Sequence, residues 1–388
     1  MALIRLLFIS CALLSAVAAE AAEAVIDFVS ADGPDRTCQQ FRNANAALLR
    51  RDVDKAAFAI CNAIDLGREV STWLRTNMPW KERADNSFVE EIRARLERIL
   101  DRIRVSRRAL EGIKTSKPLF LIKPGDWVID WDGDGTISAF EKYLLWVPKR
   151  GVDAFWARER FTSEPAYYEA QFVSPRIKID RSDVYWAVAY CQFAEAMLNL
   201  VLAYEIDPSK ASEIRLRDRT RITNVAYKNV LEGIRYSGKL RESLLKETDD
   251  DDEWIPNPRQ VRTSFPLVMD EQTFATWEAL LDHMDKLFRG KTLLGGSVDS
   301  REFSGVRDLS GGQCRPGEGI DVRSLFTDPI RQPSSKEGLK SRCVPATPAR
   351  TMSGLAAMIA ESVKRNQGRS PESLSGEWMV LRHFYWVN

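Results

Sequence analysis

Asp130, Asp132 and Asp134 stand at alternate positions in the stretch Asp130-Trp131-Asp132-Gly133-Asp134-Gly135-Thr136-Ile137-Ser138-Ala139-Phe140-Glu141. Three carboxylates at this spacing offer hard oxygen donors to a single point. Gly135 follows the third aspartate and can take positive φ at a sharp turn where a Cβ would clash. Beyond the turn, Thr136 offers its backbone carbonyl and Ser138 a hydroxyl that can act through water. Glu141 adds a carboxylate with two oxygens. Calcium takes six to eight oxygens at roughly 2.3–2.6 Å in a flexible shell, and this donor set matches that demand. Ile137 is expected to pin the stretch to the core. A solvated acidic turn is the alternative reading, since Asp and Gly favour turns and helix caps. Ile137 and the apolar helix expected behind it weigh against that reading.

All the restricted positions of D-x-[DN]-x-[DN]-G-x₅-E are filled. The segment therefore resembles the calcium loop of the EF-hand family, over the loop and its exit helix only. The resemblance implies a Ca²⁺ site held by Asp130, Asp132, Asp134, the carbonyl of Thr136 and a bidentate Glu141. On the exiting side, Ser138 to Val147 puts Phe140, Leu144 and Val147 on one helical face until Pro148 ends the helix. The entering side departs from the pattern, because Pro124-Gly125 leave only Asp126 to Ile129 ahead of the loop. The sequence holds no second loop of this type. Sensor EF-hands work as pairs that open on binding. A single loop with a truncated first helix reads as a structural clip.

The elements that must position this loop read as helices, giving a mainly α fold. Thr37 to Leu49 and Val53 to Leu74 form a helical pair. Phe88 to Ile113 is one long helix with Val89, Ile92, Leu96, Ile99 and Ile103 on one face. Its arginines interleave with glutamates, which reads as a solvated face rather than a nucleic-acid patch. Residues 118–129 form a short apolar, extended approach to the loop. Asp183 to Tyr204 is strongly apolar, but Gln192, Glu195 and Asn199 recur at helical spacing. That polar stripe predicts the central helix of a bundle rather than a membrane span. Another helix covers Arg219 to Ser237 and breaks at Gly238. The run Asp249-Asp250-Asp251-Asp252-Glu253 is expected as an exposed loop. Asp270 N-caps a helix through Arg289, with Gly290 just past its end. After Lys291, Gly, Pro and Ser cluster and helical periodicity fades. Leu355 to Val363 reads as a short helix and Glu377 to Asn388 as a terminal strand.

Residues 1–21 have the form of a secretory signal, with Arg5 before a 14-residue apolar stretch, Leu6 to Ala19, and small residues at its end. The expected organisation is this signal, a helical domain over 22–290 carrying the loop, and an irregular, disulfide-stapled region over 291–388. Five cysteines follow the signal, so at least one is free. Cys38 and Cys61 lie in neighbouring helical segments, and Cys314 and Cys343 in the irregular region. We expect these two pairs to be bridged and Cys191 to be a buried free thiol.

The net charge is +1, and losing Arg5 and Glu20 leaves it at +1. No global field therefore favours nucleic acid or an anionic membrane. The only histidines are His283 and His383, and no Ser-His-Asp ordering, zinc pattern or glycine-rich phosphate loop is present. The expected function is that of a periplasmic or secreted calcium-binding protein, with structural Ca²⁺ and a role in binding or scaffolding. Its partner would be a protein or polysaccharide. The alternative is a hydrolase or lyase acting on carbohydrate or cell-wall material. Glu195 would be its acid, and Phe155, Trp156, Phe161, Tyr167, Tyr168 and Phe172 would line its cleft. A calcium-responsive regulator is the third reading.

Overall fold

A computed structural model describes residues 25–77, 86–149, 165–206, 214–294, 314, 317–333 and 340–347. The expected signal, the terminal helix and strand, and Phe155, Trp156 and Phe161 lie outside them. Nine α-helices occur among the described residues, beside four two-stranded antiparallel ladders. The mainly α expectation holds.

Helix α1 (Gly33–Phe41) starts with Pro34 in its first turn, where the missing N–H costs nothing. It is shorter than the expected Thr37–Leu49, and a 3₁₀ turn at Ala46–Leu48 takes up the remainder. Helix α2 (Asp52–Asn77) lies against α1, and Cys38 is bonded to Cys61 across the pair. The Cys314–Cys343 bridge also forms, and Cys191 is free. Burial pushes the Cys191 thiol up to about 12, so it remains protonated at neutral pH.

Helix α3 (Asn86–Glu111) packs on α2 and on α6 (Arg181–Ala203). Its buried positions include Phe88, Leu100, Ala109 and Leu110. The arginines of α3 are not simply solvated. Arg95 and Arg102 pair with Glu69 of α2 at 3.2 and 3.1 Å, and Arg93 donates to the carbonyls of Leu202 and Tyr204 at 2.9 and 2.6 Å. They act as clamps between helices.

Helix α6 begins with a reciprocal cap. The Asp180 carboxylate accepts from the backbone N–H of Ser182 and Asp183, and Asp183 accepts from the N–H of Asp180. Its stripe Gln192, Glu195 and Asn199 is buried against α3 and against α7 (Tyr227–Lys246). A π-turn at Arg221–Ala226 leads into α7, which runs on through Gly238 instead of ending there. A glycine in a helix costs about 1 kcal/mol. Burial of Ser237, Leu240 and Leu244 around it outweighs that cost. Helix α8 (Glu271–Phe288) has the expected Asp270 cap, which accepts from Thr273 N at 2.7 Å, and Gly290 follows with φ +70°. Helices α4 (Ala139–Tyr143), α5 (Pro165–Gln171) and α9 (Val322–Thr327) are short.

Strand β1 (Phe120–Ile122) pairs with β4 (Ile177–Ile179), Leu121 facing Lys178. The pairs β2 (Val147–Pro148) with β3 (Phe172–Val173), β5 (Tyr204–Ile206) with β6 (Ile214–Leu216), and β7 (Glu318–Ile320) with β8 (Cys343–Pro345) complete the ladders. The largest core gathers Phe28, Phe58, Ile64, Trp127, Ile129 and Trp131 with Phe265 and Trp277. The loop 130–141 grows directly out of this core.

Candidate metal centre

After β1, a single 3₁₀ turn at Pro124–Asp126 replaces any entering helix, as the Pro-Gly pair predicts. The chain then runs extended, and side chains alternate between faces. Trp127, Ile129 and Trp131 are buried, while Val128 is exposed and Asp130 and Asp132 are only half-buried. The period-2 pattern thus anchors the strand through its apolar residues and turns both aspartates outward together. Trp131 lies on α2, where a Cβ at Gly67 would come within 2.7 Å of its ring. Glycine at position 67 permits this approach.

The turn itself is organised by backbone N–H groups aimed at carboxylates. Asp130 accepts from Gly133 N at 2.7 Å, Asp134 N at 3.2 Å and Gly135 N at 2.9 Å. Asp132 accepts from Asp134 N at 3.1 Å. Asp134 accepts from the N–H and the hydroxyl of Thr136 at 2.8 and 2.7 Å. The Thr136 hydroxyl and N–H hold the Asp134 carboxyl below its usual range. Gly133 and Gly135 have φ of +71° and +87°, which L side chains rarely adopt.

One oxygen each of Asp130, Asp132 and Asp134 lies within 4.8 Å of the others. Oxygens bound to one calcium at roughly 2.3–2.6 Å are at most about 5 Å apart, so the three are within reach of a single ion. The donor set is all oxygen and fits a hard divalent cation. Glu141 does not join that group. Its Oε1 accepts from Trp131 N at 2.7 Å, and Oε2 accepts from the N–H and hydroxyl of Ser138, both at 2.8 Å. Ser138 in turn caps α4 by accepting from Glu141 N at 3.2 Å. Glu141 is buried and fastens the two ends of the loop together.

Two expectations about the loop's surroundings are corrected. Ile137 is 41% exposed and Phe140 47% exposed, so neither pins the loop. The exit helix ends at Tyr143 and Val147 belongs to β2, so Phe140, Leu144 and Val147 do not share a helical face. Trp131 and the Glu141 clasp do the pinning instead. The sequence reading also missed Arg75, in the last turn of α2. It donates to the Asp132 carbonyl at 3.0 Å and lies 3.8 Å from the Asp132 carboxylate. Nothing local marks this residue, since its partner is 57 positions away.

Glu195 sits elsewhere. It is 1% exposed, ion-paired with Arg107, 3.6 Å from Arg104 Nε, and accepts from Asn229 Nδ2 at 3.2 Å. Burial disfavours the Arg107 charge, but Glu195 and Glu111 hold it charged above its usual range. Both oxygens of Glu195 are committed to α3 and α7, the arrangement of a hydrogen-bonded core residue. Tyr168 and Phe172 are buried too, with the Tyr168 ring stacked on Tyr143 at 4.3 Å. They form a small satellite core rather than a lining.

No protein-family model, curated protein or solved structure matches this chain.

Proposed function

We propose that the chain is a calcium-binding protein whose ion fastens the loop 130–141 to the helical body, and that it serves as a binding or scaffold protein outside the cytoplasm. One observation carries the reading: three aspartate oxygens converge within 4.8 Å on a turn with positive φ at two glycines. Asp130, Asp132 and Asp134 supply charged ligands, with the Thr136 carbonyl and Glu141 as the further donors of the EF-hand-type pattern. Glu141 and the core-anchored Trp131 tie the turn to the body. A loop held on rigid elements suits a structural clip better than a switch.

Two disulfides support residence in an oxidising compartment, in keeping with residues 1–21 acting as a cleaved signal. Extracellular calcium, near millimolar, would fill a site of modest affinity. Helix α6 is long and apolar enough to cross a membrane. Its Gln192, Glu195 and Asn199 are buried against α3 and α7, which supports a bundle helix.

The test is thermal unfolding in EDTA and in about 1 mM Ca²⁺, beside Glu141→Gln and the triple variant Asp130→Asn/Asp132→Asn/Asp134→Asn. Binding to the native state alone should stabilise the wild type by about 2.7 kcal/mol at one hundredfold Kd. The rise should vanish in the triple variant. An unchanged wild-type midpoint would sink the calcium reading.

A further inference from the structure

A second concentration of carboxyl groups lies where β4, α6, α7 and the loop after α7 meet. Asp180 and Asp183 come from the capping box of α6, Glu247 from the C-terminal end of α7, and Asp249 and Glu253 from the acidic run. One oxygen each of Asp180, Glu247 and Glu253 lies within 4.8 Å of the others. The acidic run is only in part the exposed loop its composition predicts: Asp249 and Asp251 are exposed, whereas Glu253 is only 4% exposed.

The groups that face this cluster are few. Lys178 of β4 is its resident cation, with Nζ 2.6 Å from Asp249 and 2.7 Å from Glu253. Ser182 hydrogen-bonds Glu247, and its hydroxyl is 3.0 Å from that of Ser243. Gln260 donates to the Asp249 carbonyl, accepts from the Asn257 N–H and also hydrogen-bonds the Glu247 carboxyl. The other nearby cations are turned elsewhere. Arg181 reaches the Ile113 carbonyl and the Tyr185 ring, and Arg259 donates to the carbonyls of Leu245 and Glu247. Arg176 pairs with Asp252, and Arg262 with Asp250 and Asp251. Five carboxyls thus face one ammonium. Full ionisation would place charges of Asp180, Glu247 and Glu253 within 4.8 Å of one another in a poorly solvated junction, an arrangement that must bind protons, take up a cation or come apart.

We propose that this junction is a proton-governed latch, in which protonated carboxyls hold the 249–253 loop against α6 and α7, and ionisation on rising pH releases it.

The direction of each shift agrees with the geometry. Burial, with Asp180 beside it, pushes Glu247 up to about 8. Burial likewise pushes Glu253 up to about 7, against the pull of Lys178. Removal from water raises Asp183 and Asp180, and the Asp180 charge raises Asp183 further. Asp249 alone is lowered, through its hydrogen bond to Lys178. A carboxyl raised in the fold contributes stability that is fully present below its unfolded value. That stability is lost as pH rises through the folded value. For Glu247 and Glu253 the window runs from their ordinary 4.5 to about 8.

The test is run on the full chain in EDTA, so that the 130–141 loop plays no part. Unfolding midpoints and hydrogen exchange over 248–256 are followed from about pH 5 to about pH 9. The wild-type midpoint should fall across the window, and exchange corrected for intrinsic rate should rise at least tenfold over 248–256. In Glu247→Gln/Glu253→Gln both trends should flatten. Parallel profiles in wild type and variant would overturn the latch. The proposal would also fall if calcium restored protection at high pH in the triple aspartate variant of the other loop, because the cluster would then be a cation site. Should the double glutamine variant not fold, infrared spectra of the wild type decide the matter. A protonated-carboxyl band must persist near pH 6.5, where ordinary carboxyls are ionised, and its absence would overturn the proposal.

Discussion

The loop at 130–141 and the junction around Lys178 are built from the same chemistry, clustered Asp and Glu, yet they present opposite problems to water. In the loop the aspartates lie at the surface and their charges are met by backbone N–H groups of a glycine-turned chain. What such a turn can still take up is a cation. In the junction the carboxyls come from separate elements, all but the exposed Asp249 are at least partly withdrawn from solvent, and two of them share one lysine. Their remaining need is met by protons. Whether an acidic cluster binds metal or holds protons is therefore decided by solvation and by the supply of donors, not by composition.

Glu195 offers the strongest way to probe this contrast. It is as buried as Glu253 but has two arginines rather than a shared lysine. Glu195→Ala would remove the buried partner that Arg104 and Arg107 share between α3 and α6, leaving them only the more exposed Asp101 and Glu111. Denaturant unfolding should report a loss of about 3–5 kcal/mol. A loss below about 1 kcal/mol would mean that burial, not pairing, dominates there.

A smaller effect is expected where the loop meets its scaffold. Gly67→Ala would push a methyl into the Trp131 ring and cost about 1–3 kcal/mol by overcrowding. It should weaken calcium binding as well, measurable by calorimetry, while leaving the pH profile of the junction unchanged. A variant that altered both sites equally would show that the two regions are not independent.

The smallest effect concerns a single proton. Thr136→Val removes the hydroxyl that holds Asp134 below the usual carboxylate range. Asp134 should then titrate at higher pH by NMR. A lowered carboxyl contributes stability that is present above its unfolded value and lost as pH falls through its folded one. The variant should shift that acid limit upward only slightly, since Asp134 is exposed.

Much of this was legible in local sequence. Asp130, Asp132, Asp134 and Gly135 are organised by contacts a few residues apart, so their spacing alone foretold the turn. Asp270 and Gly290 were readable for the same reason. The two disulfides followed from which helical or irregular segment each cysteine occupied. What escaped depends on distant partners. Glu253 is buried because Lys178 arrives from β4, 75 positions earlier in the chain. Helix α7 passes Gly238 because α6 packs along it. The exit helix stops at Tyr143 because Val147 and Pro148 pair with β3. Ile137 looked like an anchor because its residue type is apolar, whereas Trp131, on the alternate face of an extended strand, fills that place.

Three indoles surround the loop: Trp127 bonded to the Phe28 carbonyl, Trp146 bonded to the Gly125 carbonyl, and Trp131 within the loop itself. The backbone of Trp131 is tied to the same Glu141 oxygen that an incoming ion would draw upon. The protein accordingly carries its own optical reporter. Tryptophan emission should record the loop's occupancy without any label, and Glu141→Gln should separate that signal from the rest of the fold.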